Sequence, residues 1–418
     1  MELREGYKNT EVGVIPSDWD LKSVGEIFTF YSTSNFSKAE MTLSGDIGCV
    51  HYGLIHAIEN SHYSLSDGTK YYVTKEQAKY ETIKEGDVIM VDASEDLVGL
   101  NKSVEVFNLK GKEFIAGLHT FLLRDNSLNY VVKFRGLILN SSAVKKQMLK
   151  LAVGMKVFGV SKTQLQNILI SVPTLTEQTL IATALSDADA LISSLEKLIT
   201  KKRNIKQGAM QKLLQPKEGW EVKKLGEVLK GIQLGGNYPN SEVISDFPLI
   251  KMGNIQRGYI SSSKIEYIIS DFFPEKSDKL NFGDVLFNTR NTLELVGKVS
   301  IWKDELEVAY FNSNLMRFEF SQEYISSNYF MNSIFNTQNI ISKLKDIATG
   351  TTSVAAIYTR DLMKLEISIP SKEEQTRIAT ILSDMDAEIT ALETKLEKYK
   401  RVKLGMMQNL LTGKIRLV

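Results

Sequence analysis

A shift of 197 residues lays much of this chain over itself. Pro173 falls on Pro370, Gln178 on Gln375, Asp187 on Asp384 and Asp189 on Asp386. The segment PTLTEQTLIATALSDADA meets PSKEEQTRIATILSDMDA, and LEKLITKKRNIKQGAMQKLL meets LETKLEKYKRVKLGMMQNLL. Roughly half the positions from Pro173 to Leu214 are identical to their mates, Gly208/Gly405 and Met210/Met407 among them. A fixed internal period decides architecture ahead of any local reading. Looser marks repeat too. Each half opens on a tryptophan phrase, IPSDWDLKSVGEI around Trp19 and PKEGWEVKKLGEV around Trp220. Each carries a Gly-Asp-Val turn into an apolar strand, GDVIMV at Gly86 and GDVLFN at Gly283, and then a Val-Gly pair, Val98–Gly99 and Val296–Gly297. Between these marks the halves differ almost completely, as if one scaffold held two different readers.

The repeated segments read as long helices. Ile181, Leu185, Ala188, Ile192, Leu195 and Ile199 alternate steps of four and three, as do Ile378, Leu382, Met385, Ile389, Leu392, Leu396 and Tyr399. That spacing is the seam of a coiled coil. Pro173 or Pro370 precedes each helix, and Glu177, Glu373 and Glu374 place acid in the first turn. A helix from Glu177 to Leu214 would be about 57 Å long at ~1.5 Å per residue. Each stripe needs an apolar partner. Packing onto the helix's own domain is one outlet; helix on helix is favoured, because two matching stripes exist in one chain. Gly208 and Gly405, inside the pattern, suggest a bend or the close approach of another backbone. Lys201, Lys202 and Arg203 read as a solvated face. The remaining segments are mixed, with strands at Val88–Val91, Thr120–Leu123, Val285–Phe287 and Met316–Phe320, and one helix each in NYVVKFRGLILNSSAVKKQML and EYISSNYFMNSIFNTQNIISKL. The expected organisation is an α+β chain: 1–172 as a first domain, 173–215 as the central helix, 216–369 as a second domain and 370–418 as a terminal helix. Each α/β domain is large enough for its own core.

The 418 residues balance 51 Lys+Arg against 50 Asp+Glu, a net charge of +1, which excludes an overall basic coat but not local patches. One cysteine, Cys49, excludes a disulfide framework and points to a reducing compartment. A charged N-terminus and the lack of an apolar run of about 20 residues lead to the expectation of a cytoplasmic chain without a membrane span. Chemistry-bearing motifs are missing. No Pro-Pro occurs, so the Asp/Asn-Pro-Pro-aromatic motif of amino-methyltransferases is absent, and no Gly-Lys pair continues into Ser or Thr as a phosphate loop requires. His51, His56 and His62 lie near Cys49, but their spacing, and that of His119, fits no common zinc pattern. Asp187/Asp189 and Asp384/Asp386 lie two apart on a helix, so they face different ways and read as solvated or subunit-contacting rather than as an acid/base pair. No catalytic residues and no metal ligands are assigned.

Base edges are read by Arg, Lys, Asn and Gln on exposed segments. The second half supplies GGNYPN at Gly235, KMGNIQRGY at Lys251 and NTRN at Asn288. In these, Arg257 and Arg290 suit guanine, Asn254, Gln256 and Asn291 suit adenine, and Asn288 stands beside them. The first half offers Asn35, Lys38, Asn101 and Lys102. A glycine-bearing loop precedes the end of each variable segment, AVGMKVFGVSK from Ala152 and ATGTTSVAAIYTR from Ala348. Lys156 and Lys162, or Thr351 and Thr352, would contact phosphate or bases there.

With these marks together, the chain resembles the DNA-specificity subunit of type I restriction-modification systems, over essentially its whole length. The marks are the Ile15–Trp19 opening, the GDV strand entries, the Pro-x-x-x-E-Q-x-x-I-A-x-x-L-S-x-x-D phrase at Pro173–Asp189 and Pro370–Asp386, and the closing QKLL and QNLLTGKIRL. The resemblance implies that the two variable segments are target recognition domains, each reading half of a split site in double-stranded DNA. It implies that the two helices pair as an antiparallel coiled coil that sets half-site spacing, with a pseudo-twofold between the repeats. It implies no catalysis and no cofactor in this chain: two methyltransferase (modification) subunits would bind S-adenosylmethionine and methylate adenine, and a translocating restriction subunit could join. The alternative is a coiled-coil adaptor that does not read DNA.

Overall fold

The computed structural model describes residues 5–66, 68–94, 99–151 and 158–418. The chain divides into two units, Met1–Glu196 with Thr394–Val418, and Lys197–Glu393. In the first unit a five-stranded sheet runs in the spatial order Thr29–Tyr31, Thr120–Arg124, Val88–Val91, Ser103–Phe107, His62–Ser64, antiparallel except for the last pair. In the second unit a four-stranded antiparallel sheet runs Leu229–Leu234, Leu315–Phe320, Val285–Asn288, Val299–Ile301. The central strands, Val88–Val91 and Val285–Asn288, lie 197 residues apart and are buried along their whole length. A strand buried on both faces needs a continuous apolar run, which is what these sequences supply.

The repeated Gly-Asp-Val has one structural explanation in both units. Gly86 (φ +81°) and Gly283 (φ +89°) take the left-handed conformation that lets the chain turn into the strand. The next residue closes the turn: the Asp87 carboxylate accepts from the Lys84 amide (2.8 Å), and Asp284 from that of Asn281 (2.9 Å). The same carboxylate holds an arginine of the neighbouring strand, Arg124 Nη2 on Asp87 at 2.7 Å and Arg317 Nη1 on Asp284 at 3.0 Å. The valine then enters the core, fully buried at Val88 and Val285.

The two long helices are Leu175–Leu213 and Lys372–Leu410, 39 residues each. Thr174 and Ser371 cap them, accepting from the amides of Glu177 and Glu374 (3.3 Å each). The repeated glutamine tethers each helix to its own domain. Gln178 Nε2 donates to the carbonyls of Pro173 and Asn129, and its Oε1 accepts from the Val131 amide. Gln375 does the same with Pro370, Tyr324 and Ser326.

Each helix contributes its first half to one unit and its second half to the other. Within the first unit the two helices run antiparallel: Asp189 pairs with Lys403, and further along Glu196 pairs with Lys400 at 2.9 Å. Within the second unit Asp386 pairs with Lys206, and Glu393 with Arg203 at 2.5 Å. These are the same two pairs displaced by 197 residues. Ile181, Leu185, Ile192, Leu195, Ile378, Leu382 and Ile389 of the expected stripe are buried, while Leu392 is half-buried. Both outlets foreseen for the stripe are used. Ile181 and Leu185 join the core of the first unit beside Leu410 and Leu411, and Ile378 and Leu382 join that of the second beside Leu214.

Three expectations are corrected. Gly208 and Gly405 have no described atom within 4 Å of where a side chain would start, so no other described backbone closely approaches them. The helix expected over 129–149 is two, Arg135–Leu139 and Ser142–Leu151, and that over 323–344 is Asn328–Phe335 and Gln338–Asp346. The break falls at Asn140 and Asn336, whose side-chain amides donate to carbonyls of the preceding helix and of the adjacent strand (Gly136 and Ser103; Asn332 and Val299). Asp187 and Asp384 are exposed as expected, whereas Asp189 is buried and Asp386 half-buried, and both are engaged by lysines of this chain.

Candidate nucleic-acid interface

In the second unit the short strand Arg290–Asn291 pairs with Ala355–Ala356, which pairs in turn with Thr349–Gly350. Residues about 60 positions apart in sequence thus form one small three-stranded sheet. Its tip is a hairpin in which Gly350 (φ +138°) leaves no room for a side chain against Val354, and the Thr351 amide donates to the Val354 carbonyl at 2.8 Å. Thr352 is tied to the other strand end, its carbonyl accepting from the Leu293 amide. The result brings Arg290, Asn291, Thr351 and Thr352 together, with Arg290, Thr351 and Thr352 exposed and Asn291 half-buried. The paired backbone thereby brings together a guanidinium, an amide and hydroxyls, the groups that read base edges and phosphates. Tyr358, 58% exposed, and Arg360, whose side chain is 84% exposed, follow directly on this sheet in the phrase IYTR and join the candidate residues.

The first unit has the same frame in the same register. Ala93–Ser94 pairs with Phe158–Gly159. Adding 197 to these four positions gives Arg290, Asn291, Ala355 and Ala356. The scaffold is repeated while the residues it displays are replaced. Lys162 is exposed, its Nζ 5.6 Å from the Phe30 ring centroid, and Asn35 and Lys38 are exposed on another segment. Lys156 lies outside the described residues.

Other expected readers are occupied within the fold. Asn101 is buried, donating to the Leu139 carbonyl, in a left-handed turn (φ +68°). Asn254 is buried and donates to the carbonyls of Ser261 and Lys264, closing the Lys251–Lys264 loop. Asn288 is wholly buried, its Oδ1 accepting from the Arg290 amide. All three side chains are buried and hold their own loops, with Asn288 Nδ2 left without a partner among the described residues. Gln256 bridges the Gly253 carbonyl and Lys298 Nζ. Lys102 Nζ donates to the His56 carbonyl at 2.9 Å, and burial lowers its pKa. Arg257 is half-buried in a cleft beside the long helices, and burial lowers its basicity. Among the histidines, His51 Nδ1 caps the helix Tyr52–Ala57, and burial holds His51 and His62 below the usual imidazole range. No group of metal-ligating side chains occurs among the described residues.

A family model described as the type I restriction modification DNA specificity domain matches this chain twice, at residues 16–207 and 217–401. The putative type I restriction enzyme MjaX specificity subunit of Methanocaldococcus jannaschii is 28% identical over an alignment 443 positions long, covering 99% of this chain and 97% of the relative. The MjaVIII specificity subunit of the same organism is 26% identical, covering 99% and 96%. Among solved structures, a chain from a study of complex assembly and conformational transition of the type I R-M system aligns with a TM-score of 0.55 at 18% identity, covering 96% of this chain and 99% of that one. The S subunit from M. genitalium aligns at 0.54 and 15% identity, covering 98% of both. At such identities these structures speak for the fold.

Proposed function

The chain belongs to the type I restriction-modification DNA specificity family, and from that premise we propose how it divides the work. It supplies the DNA-sequence specificity of a restriction-modification complex, and each unit reads one half of a bipartite site. The observation that carries this reading is the small sheet found at one register in both units, with exposed Arg290 and half-buried Asn291 in one and half-buried Ala93 and buried Ser94 at the same positions of the other. A shared frame with exchanged side chains is what two independent readers of different half-sequences require. An adaptor that merely joins proteins has no need of it.

We further infer that the paired helices set the spacing between half-sites, since half-site separation follows from the geometry that links two readers. On this reading the chain itself is not catalytic. Its partners are double-stranded DNA and two adenine-methyltransferase subunits, which would carry S-adenosylmethionine, and a restriction subunit would join the same assembly. No helix among the described residues is long and apolar enough to cross a membrane, which suits a cytoplasmic DNA-bound complex. The test is to map methylated adenines genome-wide in cells with and without this gene. Loss of one bipartite motif on deletion is expected. An unchanged methylome in cells that express the modification subunits would refute the proposal.

A further inference from the structure

Beside the Gln256–Gly258 loop, the second unit contains a cleft of about 670 Å³ between its recognition domain and its helix segments. Its walls carry more positive than negative charge. Four cations line it, Arg203, Lys206, Arg257 and Lys303, against two acids, Asp386 and Glu393. Glu393 is taken by Arg203 at 2.5 Å. Asp386 already serves Lys206, Lys303 (3.3 Å) and the Tyr329 hydroxyl. Arg257 has no hydrogen bond or ion pair to any described residue, and its Nη1 is buried without a partner. Lys298 adds a further positive group nearby, its own basicity lowered by burial and by the charge of Arg257.

An unpaired guanidinium is costly to bury, and folded proteins rarely leave such a donor without an anion, water or partner. The same cleft holds an orphan acceptor, Asn336 Oδ1. The orientation of that amide is fixed, because its nitrogen donates to the carbonyls of Val299 (3.1 Å) and Asn332 (2.8 Å). Tyr259, 59% exposed, adds an aromatic ring to the wall. The first unit lacks this arrangement. Asn60 stands at the repeat position of Arg257 and His62 at that of Tyr259, and there Asn60 Oδ1 accepts from Lys403. The surplus charge is therefore no requirement of the shared frame.

We propose that this cleft is a binding site for a small phosphate-bearing molecule of nucleotide size, independent of the DNA-reading sheet. Arg257 and Lys303 hold the phosphate, Asn336 accepts an N–H of the ligand, and Tyr259 covers its flat face. The volume lies within the usual range for small-molecule sites, roughly 300–1,000 Å³. Arg257 lines a cleft that a small anion can enter and that the backbone of a rigid duplex is poorly placed to reach.

The test uses the purified full-length chain with AMP and inorganic phosphate as probes, read by equilibrium dialysis and thermal melting. Saturable AMP binding that phosphate competes away is expected, with a rise in melting temperature on adding AMP. Arg257→Gln with Lys303→Gln should weaken AMP binding about tenfold or more, since charge-assisted hydrogen bonds are lost. Arg257→Gln removes an unpaired charge, so it should fold and melt no lower than the parent without ligand. Arg290→Ala should bind AMP normally. The proposal is overturned if neither probe binds at millimolar concentration, or if the double variant binds AMP as well as the parent. It is also overturned if the double variant loses only duplex DNA, which would make the partner a backbone phosphate, or only the modification subunits, which would make it a protein carboxylate.

Discussion

Arg290 is the residue on which base reading in the second unit is most directly tested. Its side chain is exposed, its backbone is fixed by pairing with Ala356, and no acid among the described residues claims it. A bidentate Arg–guanine contact is worth roughly 1–3 kcal/mol of discrimination, whereas a phosphate contact weakens all sequences alike. Arg290→Ala should therefore relax one base of one half-site, read as degeneracy at one position of the methylated motif, or weaken binding uniformly without degeneracy. Change at the other half-site is not expected. Buried charge gives a second test, of stability. Burial raises Glu105 to about 6, against the opposing bonds from the amides of Lys133 and Gly136 and the charge of Arg135. A carboxyl raised in the folded state stays protonated while the unfolded chain ionises, so its contribution falls as pH rises from about 4.5 to 6 and is level above that. The melting temperature of the parent relative to Glu105→Gln should decline over that window, by an amount equivalent to about 2 kcal/mol. A constant difference across the window would show that Glu105 stays ionised. The polar loops bearing Arg290, Thr351 and Thr352 were legible in the sequence. The burial of Asn101, Asn254 and Asn288 was not, because an asparagine that closes a loop and one that reads adenine carry the same letter, and only the tertiary fold separates them.

At the scale of elements, the long helices were legible because a heptad stripe, a preceding proline and acid in the first turn agree on one answer. The strands entered by Gly-Asp-Val were legible for the same reason. The two broken helices were not, since the break is imposed by side-chain bonds from Asn140 and Asn336 to strands distant in sequence. The pairing of helix segments inside each unit was legible as a need for an apolar partner, while the ion pairs that fix its register became visible only in space. Asp189–Lys403 and Asp386–Lys206 occupy the same position of the repeat, so each unit should depend on its helix pair equally. Ile192→Asp and Ile389→Asp, 197 residues apart and each 8% exposed, replace a buried aliphatic group worth roughly 2–5 kcal/mol by a charge. Each should lower the melting temperature sharply and impair assembly with the modification subunits. Parent-like melting and normal methylation in both variants would mean that the buried stripe is not what holds each helix pair.

For the whole molecule, the repeat in sequence does not coincide with the units in space. The sequence reads domain, helix, domain, helix, yet each unit joins one domain to halves of both helices. The last residues of the chain return to the first unit, where Arg416 pairs with Asp18 and with Glu177, the same buried carboxylate that accepts from Trp19 at 2.7 Å. Independence of the two readers is measured most directly by the genome-wide methylated motif after residues 221–369 are replaced by the matching segment of a related specificity subunit. One half-site should change to that of the donor while the other half-site is retained. A motif altered in both halves would contradict it and require a single composite DNA surface.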